Sequence, residues 1–117
     1  MKQVVLAAYA RGVPRPPDFS IEEVPVPDAG GGEILLQTLW LALDPLIRMA
    51  IDEVLISGAK HMQIGEVMYD PTVSQVAVSN HHDYADGDVV EGRTGWREYA
   101  IVAPDEADRG RLSRTAA

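Results

Sequence analysis

The chain of 117 residues is long enough for one domain, and its 46% hydrophobic and 24% charged content is that of a globular protein with a core. Its net charge of −8 excludes nucleic acid as a partner, because phosphate binding needs a basic face. No apolar run reaches the ~20 residues that span a bilayer. No signal-peptide layout is present and no cysteine occurs, so we expect a cytoplasmic protein without disulfides, membrane association or thiolate metal sites.

The first half of the chain predicts strands followed by a short helix. The strands are expected over residues 2–8, 19–24 and 33–43. Periodicity alone does not separate a strand from a helix over the very apolar residues 33–43, but the preceding Gly30-Gly31-Gly32 turn favours a strand. Asp44 then suits the N-cap of a helix with Pro45 at its first position, and the apolar spacing extends this helix to about residue 56.

The second half predicts more short strands, over residues 64–68, 72–78, 88–91 and 96–103. Many short strands with Gly, Pro and Asn between them predict an all-β domain, a closed or nearly closed β barrel with one or two short helices. We place this domain in residues 1–103. Residues 104–117 are predicted to form a polar tail that frays, because they carry no hydrophobic pattern.

A series of short motifs, weak one by one, occurs along the chain in a fixed order. They are Glu22-Glu23-Val24-Pro25-Val26-Pro27, Gly32-Glu33-Ile34-Leu35-Leu36, Leu43-Asp44-Pro45-Leu46-Ile47-Arg48, Ile64-Gly65-Glu66-Val67-Met68, Ala85-Asp86-Gly87-Asp88-Val89-Val90 and Gly95-Trp96-Arg97-Glu98-Tyr99-Ala100. Together they resemble the N-terminal half of the zinc-free medium-chain NADP-dependent reductases, which include leukotriene B4 dehydrogenase/prostaglandin reductase and the alkenal double-bond reductases. The resemblance covers about residues 4–103.

The resemblance implies a GroES-like β barrel. In complete members of that family a Rossmann domain follows and holds NADPH, and the substrate lies between the two domains. Hydride then passes to the β-carbon of an α,β-unsaturated carbonyl compound. Segments similar to residues 43–48 and 65–68 line the cleft, which makes Leu46, Arg48, Met49 and Met68 candidate ligand-binding residues.

The sequence departs from that family's pattern at three points. No G-x-G-x-x-G motif follows a strand and opens a helix, so no cofactor-binding residue is assigned. Leu46 stands where the family usually has Tyr. Tyr69-Asp70-Pro71 stands where the family has a Gly-rich stretch, and these bulkier residues are expected to reshape the pocket.

Tyr69 and Asp70, with Asp44 as a third candidate, carry the catalytic hypothesis. At a cleft edge a carboxylate can remove a proton α to a carbonyl while a phenol stabilises the enolate oxygen. The alternatives are structural. Asp44 is a helix cap in the interpretation that we favour, Asp70 is a turn residue before Pro71, and Tyr69 packs its ring on the barrel mouth.

Other polar and aromatic residues have structural interpretations. Arg48 suits a ligand carboxylate or phosphate, but pairing with Asp52 is favoured. His81-His82-Asp83 is predicted not to bind a metal, because adjacent residues of an extended segment point to opposite faces. Trp40 is predicted to lie in the core, and Trp96 to pack in the barrel.

Three functions are compatible with this sequence, and we predict the first. The domain is a cofactor-free biosynthetic enzyme for isomerisation, cyclisation or elimination next to a carbonyl, acting on an unsaturated carbonyl compound. The first alternative is the substrate-side half of a reductase, in which NADP enters only with a separate nucleotide-binding partner. The second is a ligand- or protein-binding module without catalysis. A homodimer is expected, because the face that a Rossmann domain covers in complete relatives would otherwise stay exposed.

Overall fold

A computed structural model describes residues 1–43, 45–52, 61–68, 70–105 and 112–114. Its strands are β1 (Lys2–Leu6), β2 (Phe19–Glu23), β3 (Ile34–Leu41), β4 (Thr72–Ser79), β5 (Val89–Gly92), β6 (Tyr99–Val102) and β7 (Ser113–Arg114). One turn of 3-10 helix spans Pro16–Asp18, and the α-helix α1 spans Pro45–Ala50. No helix within the described ranges has the length and apolarity needed to cross a membrane.

The strands form two antiparallel sheets. β1 pairs with β2, and the larger sheet has the order β6-β3-β4-β5-β7. The small sheet is hydrogen-bonded to two irregular segments of the chain: Val4 N donates to Trp96 O at 2.8 Å, and Met68 N donates to Val4 O at 2.9 Å. β1 therefore fixes the positions of the segments that precede β4 and β6.

The core consists of two clusters of buried apolar side chains. The first lies between β1 and α1 and contains Leu6, Ala10, Ala50, Ile51, Met62 and Met68. The second lies on the large sheet and contains Ile34, Leu36, Val76 and Val90. Along β4, alternate residues from Thr72 to Val76 are buried, as expected for a strand with one inward face.

Most of the predicted elements are confirmed, but the strand at residues 64–68 is wrong. Gly65 adopts φ +91 and Glu66 N donates to Gln63 O at 3.1 Å, which closes a turn. The extended run is thereby interrupted, and a single bridge between Val5 and Val67 remains. Similarly, β6 begins at Tyr99 rather than residue 96, because Arg97 N donates to Gly95 O within another tight turn.

Trp40 does not lie in the core, contrary to the prediction. The β3–β4 register shifts between Thr38 and Trp40, and such an irregularity changes which side chains face inward. The Trp40 side chain is 74% exposed. The apolar sequence of residues 33–43 therefore combines a buried half with an exposed one.

Helix α1 begins at Pro45, as the sequence predicts. Its predicted cap Asp44, and its predicted continuation over residues 53–60, lie outside the described residues.

The C-terminal segment contributes to the sheet, although a frayed tail was predicted. Ser113 and Arg114 pair with Glu91 and Val90 of β5. Leu112 packs against the second core cluster. Strand pairing and the packing of Leu112 together hold residues 112–114 on the sheet, while the domain boundary after residue 103 stays a prediction.

Candidate functional site

The structure brings together the residues that flank the two segments which the family resemblance places at a ligand cleft, residues 43–48 and 65–68. Leu41, at the end of β3, pairs with Thr72, at the start of β4. Just beyond this pair, Ala42 N donates to Pro71 O at 3.0 Å. The chain entering Asp44 and the chain leaving Tyr69 are therefore neighbours, although Asp44 and Tyr69 themselves lie outside the described residues.

A pocket of about 380 Å³ lies at this junction, within the range of small-molecule sites, about 300–1,000 Å³. It is lined by Trp40, Leu41, Ala42, Pro71, Thr72, Val73, Glu91 and Gly92. Trp40 and Leu43 are 74% and 75% exposed, and Leu41 is 38% exposed. We call these three side chains the Trp40 rim. Apolar residues this exposed and this close in sequence mark a surface that a ligand or another protein domain can cover.

Asp70, the predicted base, is buried beneath this surface. It is 1% exposed, and its Oδ2 accepts a hydrogen bond from Trp96 Nε1 at 2.9 Å. The Trp96 ring is half-buried and stacks on Phe19 with centroids 6.0 Å apart. Asp70 thus orients an indole that packs on the first core cluster, and its role as a base stays a prediction.

A buried polar contact next to Asp70 was not predicted from the sequence. Thr72 Oγ1 lies 2.8 Å from Thr94 Oγ1 and accepts a hydrogen bond from Thr94 N at 3.2 Å. Both residues are buried. This contact attaches the start of β4, where Thr72 lines the pocket, to the loop before Gly95. Threonine in a strand carries no signal that distinguishes this role from ordinary packing.

Arg48 has the structural role that the sequence favoured. Its Nη1 lies 2.9 Å from Asp52 Oδ2, and its Nη2 donates to Gly12 O at 2.6 Å. The guanidinium group therefore attaches α1 to the loop after β1. Binding a ligand anion through Arg48 would compete with both contacts.

The other predicted ligand-binding residues occupy different environments. Met68 is fully buried in the first core cluster, so a ligand contacts it only by displacing a core neighbour. Met49 on α1 is half-buried. The side chain of Leu46 lies outside the described part of the chain.

The two histidines lie side by side, so the expectation that they point to opposite faces is wrong. The rings of His81 and His82 are stacked, with centroids 4.6 Å apart, because the segment is a turn and not a strand. His81 Nδ1 accepts the Asp83 N–H at 3.1 Å, and His81 Nε2 lies 3.0 Å from Asp105 Oδ1. Both ring nitrogens of His81 are thus engaged by protein groups. A metal ion would have to displace one of them.

The described residues do not fit a dinucleotide phosphate. Gly30-Gly31-Gly32 leads directly into β3, whereas a phosphate-binding glycine loop opens a helix. Two amides of this turn already have partners: Gly30 N donates to Glu33 Oε1 at 2.7 Å and Gly32 N donates to Asn80 O at 3.1 Å. The turn therefore ends a loop and starts a strand.

Comparison with known proteins gives consistent matches along the chain. The family described as the N-terminal domain of oxidoreductase matches residues 2–109. The NADPH-dependent curcumin reductase of Escherichia coli K12 is 42% identical over 102 residues, which are 87% of this chain and 29% of that protein. The NADP(+)-dependent 2-alkenal reductase of Nicotiana tabacum is 31% identical over 109 residues, 90% of this chain and 32% of that protein.

Solved structures give the same result. The crystal structure of CurA from Vibrio vulnificus superposes with a TM-score of 0.83 at 34% identity, over 96% of this chain and 32% of CurA. CurA has also been solved in complex with NADPH, and that structure superposes with the same TM-score. The all-β, GroES-like fold is thereby confirmed. The chain spans about a third of the length of the relatives that it matches.

These comparisons correct the predicted function. The matches are to oxidoreductases and to their N-terminal domain, and they do not support a cofactor-free isomerase or cyclase. The replacement of glycines by Tyr69 and Asp70 was the feature that suggested such chemistry. In the structure Asp70 accepts a hydrogen bond from Trp96 Nε1, and the catalytic roles of Tyr69 and Asp70 stay predictions.

Proposed function

This chain belongs to the family of oxidoreductase N-terminal domains, and from that premise we propose that it forms the substrate-side domain of an NADP-dependent double-bond reductase. The substrate class is that of α,β-unsaturated carbonyl compounds. The observation that carries the proposal is the 42% identity to the NADPH-dependent curcumin reductase over 87% of this chain. The order of motifs from residue 22 to residue 100 supports the same assignment.

In this proposal the pocket at the Trp40 rim receives the substrate. Its walls are mostly hydrocarbon from Trp40, Leu41 and Pro71, which suits a conjugated and largely apolar molecule. Burial of such a molecule is favourable by roughly 25 cal/mol for each Å² of apolar surface removed from water. Thr72 lines the pocket and is hydrogen-bonded to Thr94, and a lining residue that is already held in place lowers the entropy lost on binding.

The hydride donor comes from a nucleotide-binding domain that covers the exposed rim. The described residues do not fit the dinucleotide, so we assign no cofactor contact to them. The contribution of this chain is to bind the substrate, orient it and exclude water from one side of the cleft. In the absence of that cover, we propose that two copies of the chain associate through the Trp40 rim.

A domain-replacement enzyme tests the proposal. The N-terminal domain of the E. coli curcumin reductase is replaced by this chain, and the consumption of NADPH is followed with an enone substrate. We expect enone-dependent turnover. Turnover that stays at the level of the separated nucleotide-binding domain would contradict the proposal.

A pair of matched variants of the domain-replacement enzyme tests whether the substrate contacts the Trp40 rim. Trp40→Ser removes the exposed aromatic from the rim, and truncation of a central aromatic in an interface costs about 2 kcal/mol, or about 30-fold in kcat/KM. Val13→Ser is the control, because Val13 is 82% exposed in a loop and does not line the pocket. Equal activities of the two variants would place the substrate elsewhere.

A further inference from the structure

A second groove, of about 390 Å³, lies between the β1–β2 pair and the segment before β6. Val4, Ile21 and Leu41 form its apolar walls. Ile21 is 70% exposed, so this wall is open to a ligand. The volume falls in the range of small-molecule sites, about 300–1,000 Å³.

Arg97 lines this groove, and within the described residues only the Nε of its guanidinium group is hydrogen-bonded. Its Nε donates to Thr94 O at 2.6 Å. Among the residues that the structure describes, none forms a hydrogen bond or an ion pair with its two terminal nitrogens. Burial lowers the pKa of Arg97, because its charged form is partly removed from water. An anion in the groove would give this cation a charged partner.

Glu98 lines the groove and Glu22 lies on the adjacent strand, and both carboxylates already accept hydrogen bonds. The Glu98 carboxylate accepts the backbone N–H of Lys2, and Glu22 accepts the side-chain amide of Gln3 at 3.1 Å. Lys2 adds a second cation to the groove lining. In a chain with 18 acidic and 10 basic residues, this groove is a local exception to the negative charge.

We propose that this groove binds an apolar monocarboxylate, with the carboxylate on the terminal nitrogens of Arg97 and the hydrocarbon body against Val4, Ile21 and Leu41. A guanidinium group presents two parallel N–H donors that match the two oxygens of a carboxylate. The apolar walls favour an organic acid over inorganic phosphate, which has no hydrocarbon to bury. This site goes beyond the reductase function and does not depend on it.

Binding of decanoate and of 1-decanol to the full chain tests the proposal by isothermal titration calorimetry. The two probes have the same number of carbon atoms, and only decanoate has a charged head group. Hydrogen bonds to a charged group are stronger than those to a neutral hydroxyl, so we expect decanoate to bind at least about tenfold more tightly than 1-decanol. Equal affinities, or no binding of decanoate at millimolar concentration, would overturn the proposal.

Single substitutions in the groove test which residues contact the bound decanoate. Arg97→Gln is expected to weaken decanoate binding at least about tenfold and to leave the affinity for 1-decanol unchanged. Arg15→Gln makes the same charge change at an exposed position outside the groove and is expected to have no effect. If Arg97→Gln does not fold, Ile21→Ser tests the wall, with weaker binding of both probes expected. Unchanged decanoate affinity in the folded groove variants would refute the site.

Discussion

Substitution of Gly95 by Ala tests whether the close packing of the loop before β6 stabilises the domain. Gly95 has φ +95, and a Cβ at this position would lie 3.0 Å from Met68 O and 3.3 Å from Val67 Cγ1. The Met68 carbonyl cannot move freely, because it accepts the Trp96 N–H at 2.7 Å. Gly87 provides the matched control. It has φ +92, and nothing lies within 4 Å of a Cβ built on it.

Two effects lower the stability of Gly95→Ala: the left-handed backbone conformation and the steric overlap of the new Cβ. A left-handed backbone costs an L residue about 1–2 kcal/mol, and this cost is common to Gly87→Ala and Gly95→Ala. The steric overlap at Gly95 adds about 1–3 kcal/mol, as overpacking of a well-packed interior does. The effect of Gly→Ala on the unfolded chain is the same in both variants and cancels in the comparison.

Urea unfolding followed by circular dichroism measures the difference. We expect Gly95→Ala to lower the free energy of unfolding by about 1–3 kcal/mol more than Gly87→Ala does. Thermal unfolding should show the same order, with about 4 °C of Tm for each kcal/mol in a domain of this size. Equal losses in the two variants would mean that Gly95 is required for its backbone conformation alone, and the argument from close approach would be refuted.

Three further predictions follow from the site and its surface. Asp70→Ala should lower the free energy of unfolding by about 2–3 kcal/mol, and Asp70→Asn by less, because an amide oxygen still accepts the indole Nε1–H of Trp96; equal losses in urea unfolding would contradict this. The chain alone should not bind NADPH in a fluorescence titration, and a Kd in the low micromolar range would contradict the proposed division of roles. Light scattering at micromolar concentration should detect self-association that Trp40→Ser reduces, whereas a strict monomer at all dilutions would count against the proposed contact.

Local signals in the sequence predicted most of the fold. Strand β3 and helix α1 were predicted correctly because Gly30-Gly31-Gly32 indicates a turn before the strand and Pro45 indicates the first residue of the helix. The sequence-based predictions failed where contacts between residues far apart in the sequence determine the local structure. Trp40 is apolar in an apolar strand, and only the register shift against β4 turns it outwards. Leu112 fixes a tail that has no periodicity of its own.

The site was harder to predict than the fold. The pairing of Arg48 with Asp52 was predicted because an arginine more often pairs with a nearby acidic residue than with a ligand. The burial of Asp70 was not found, because its partner Trp96 is 26 residues away in sequence. The partly bonded guanidinium of Arg97 could not be predicted from the sequence either, since it depends on the directions that nearby side chains take.

The central claim is that this domain determines the substrate while another domain supplies the hydride. The most direct test is the substrate preference of the domain-replacement enzyme, measured as the ratio of kcat/KM for curcumin and for a short 2-alkenal. We expect this ratio to differ from that of the parent enzyme by at least about tenfold, with the KM for NADPH within about twofold of the parent value. An unchanged ratio together with an altered KM for NADPH would contradict the claim.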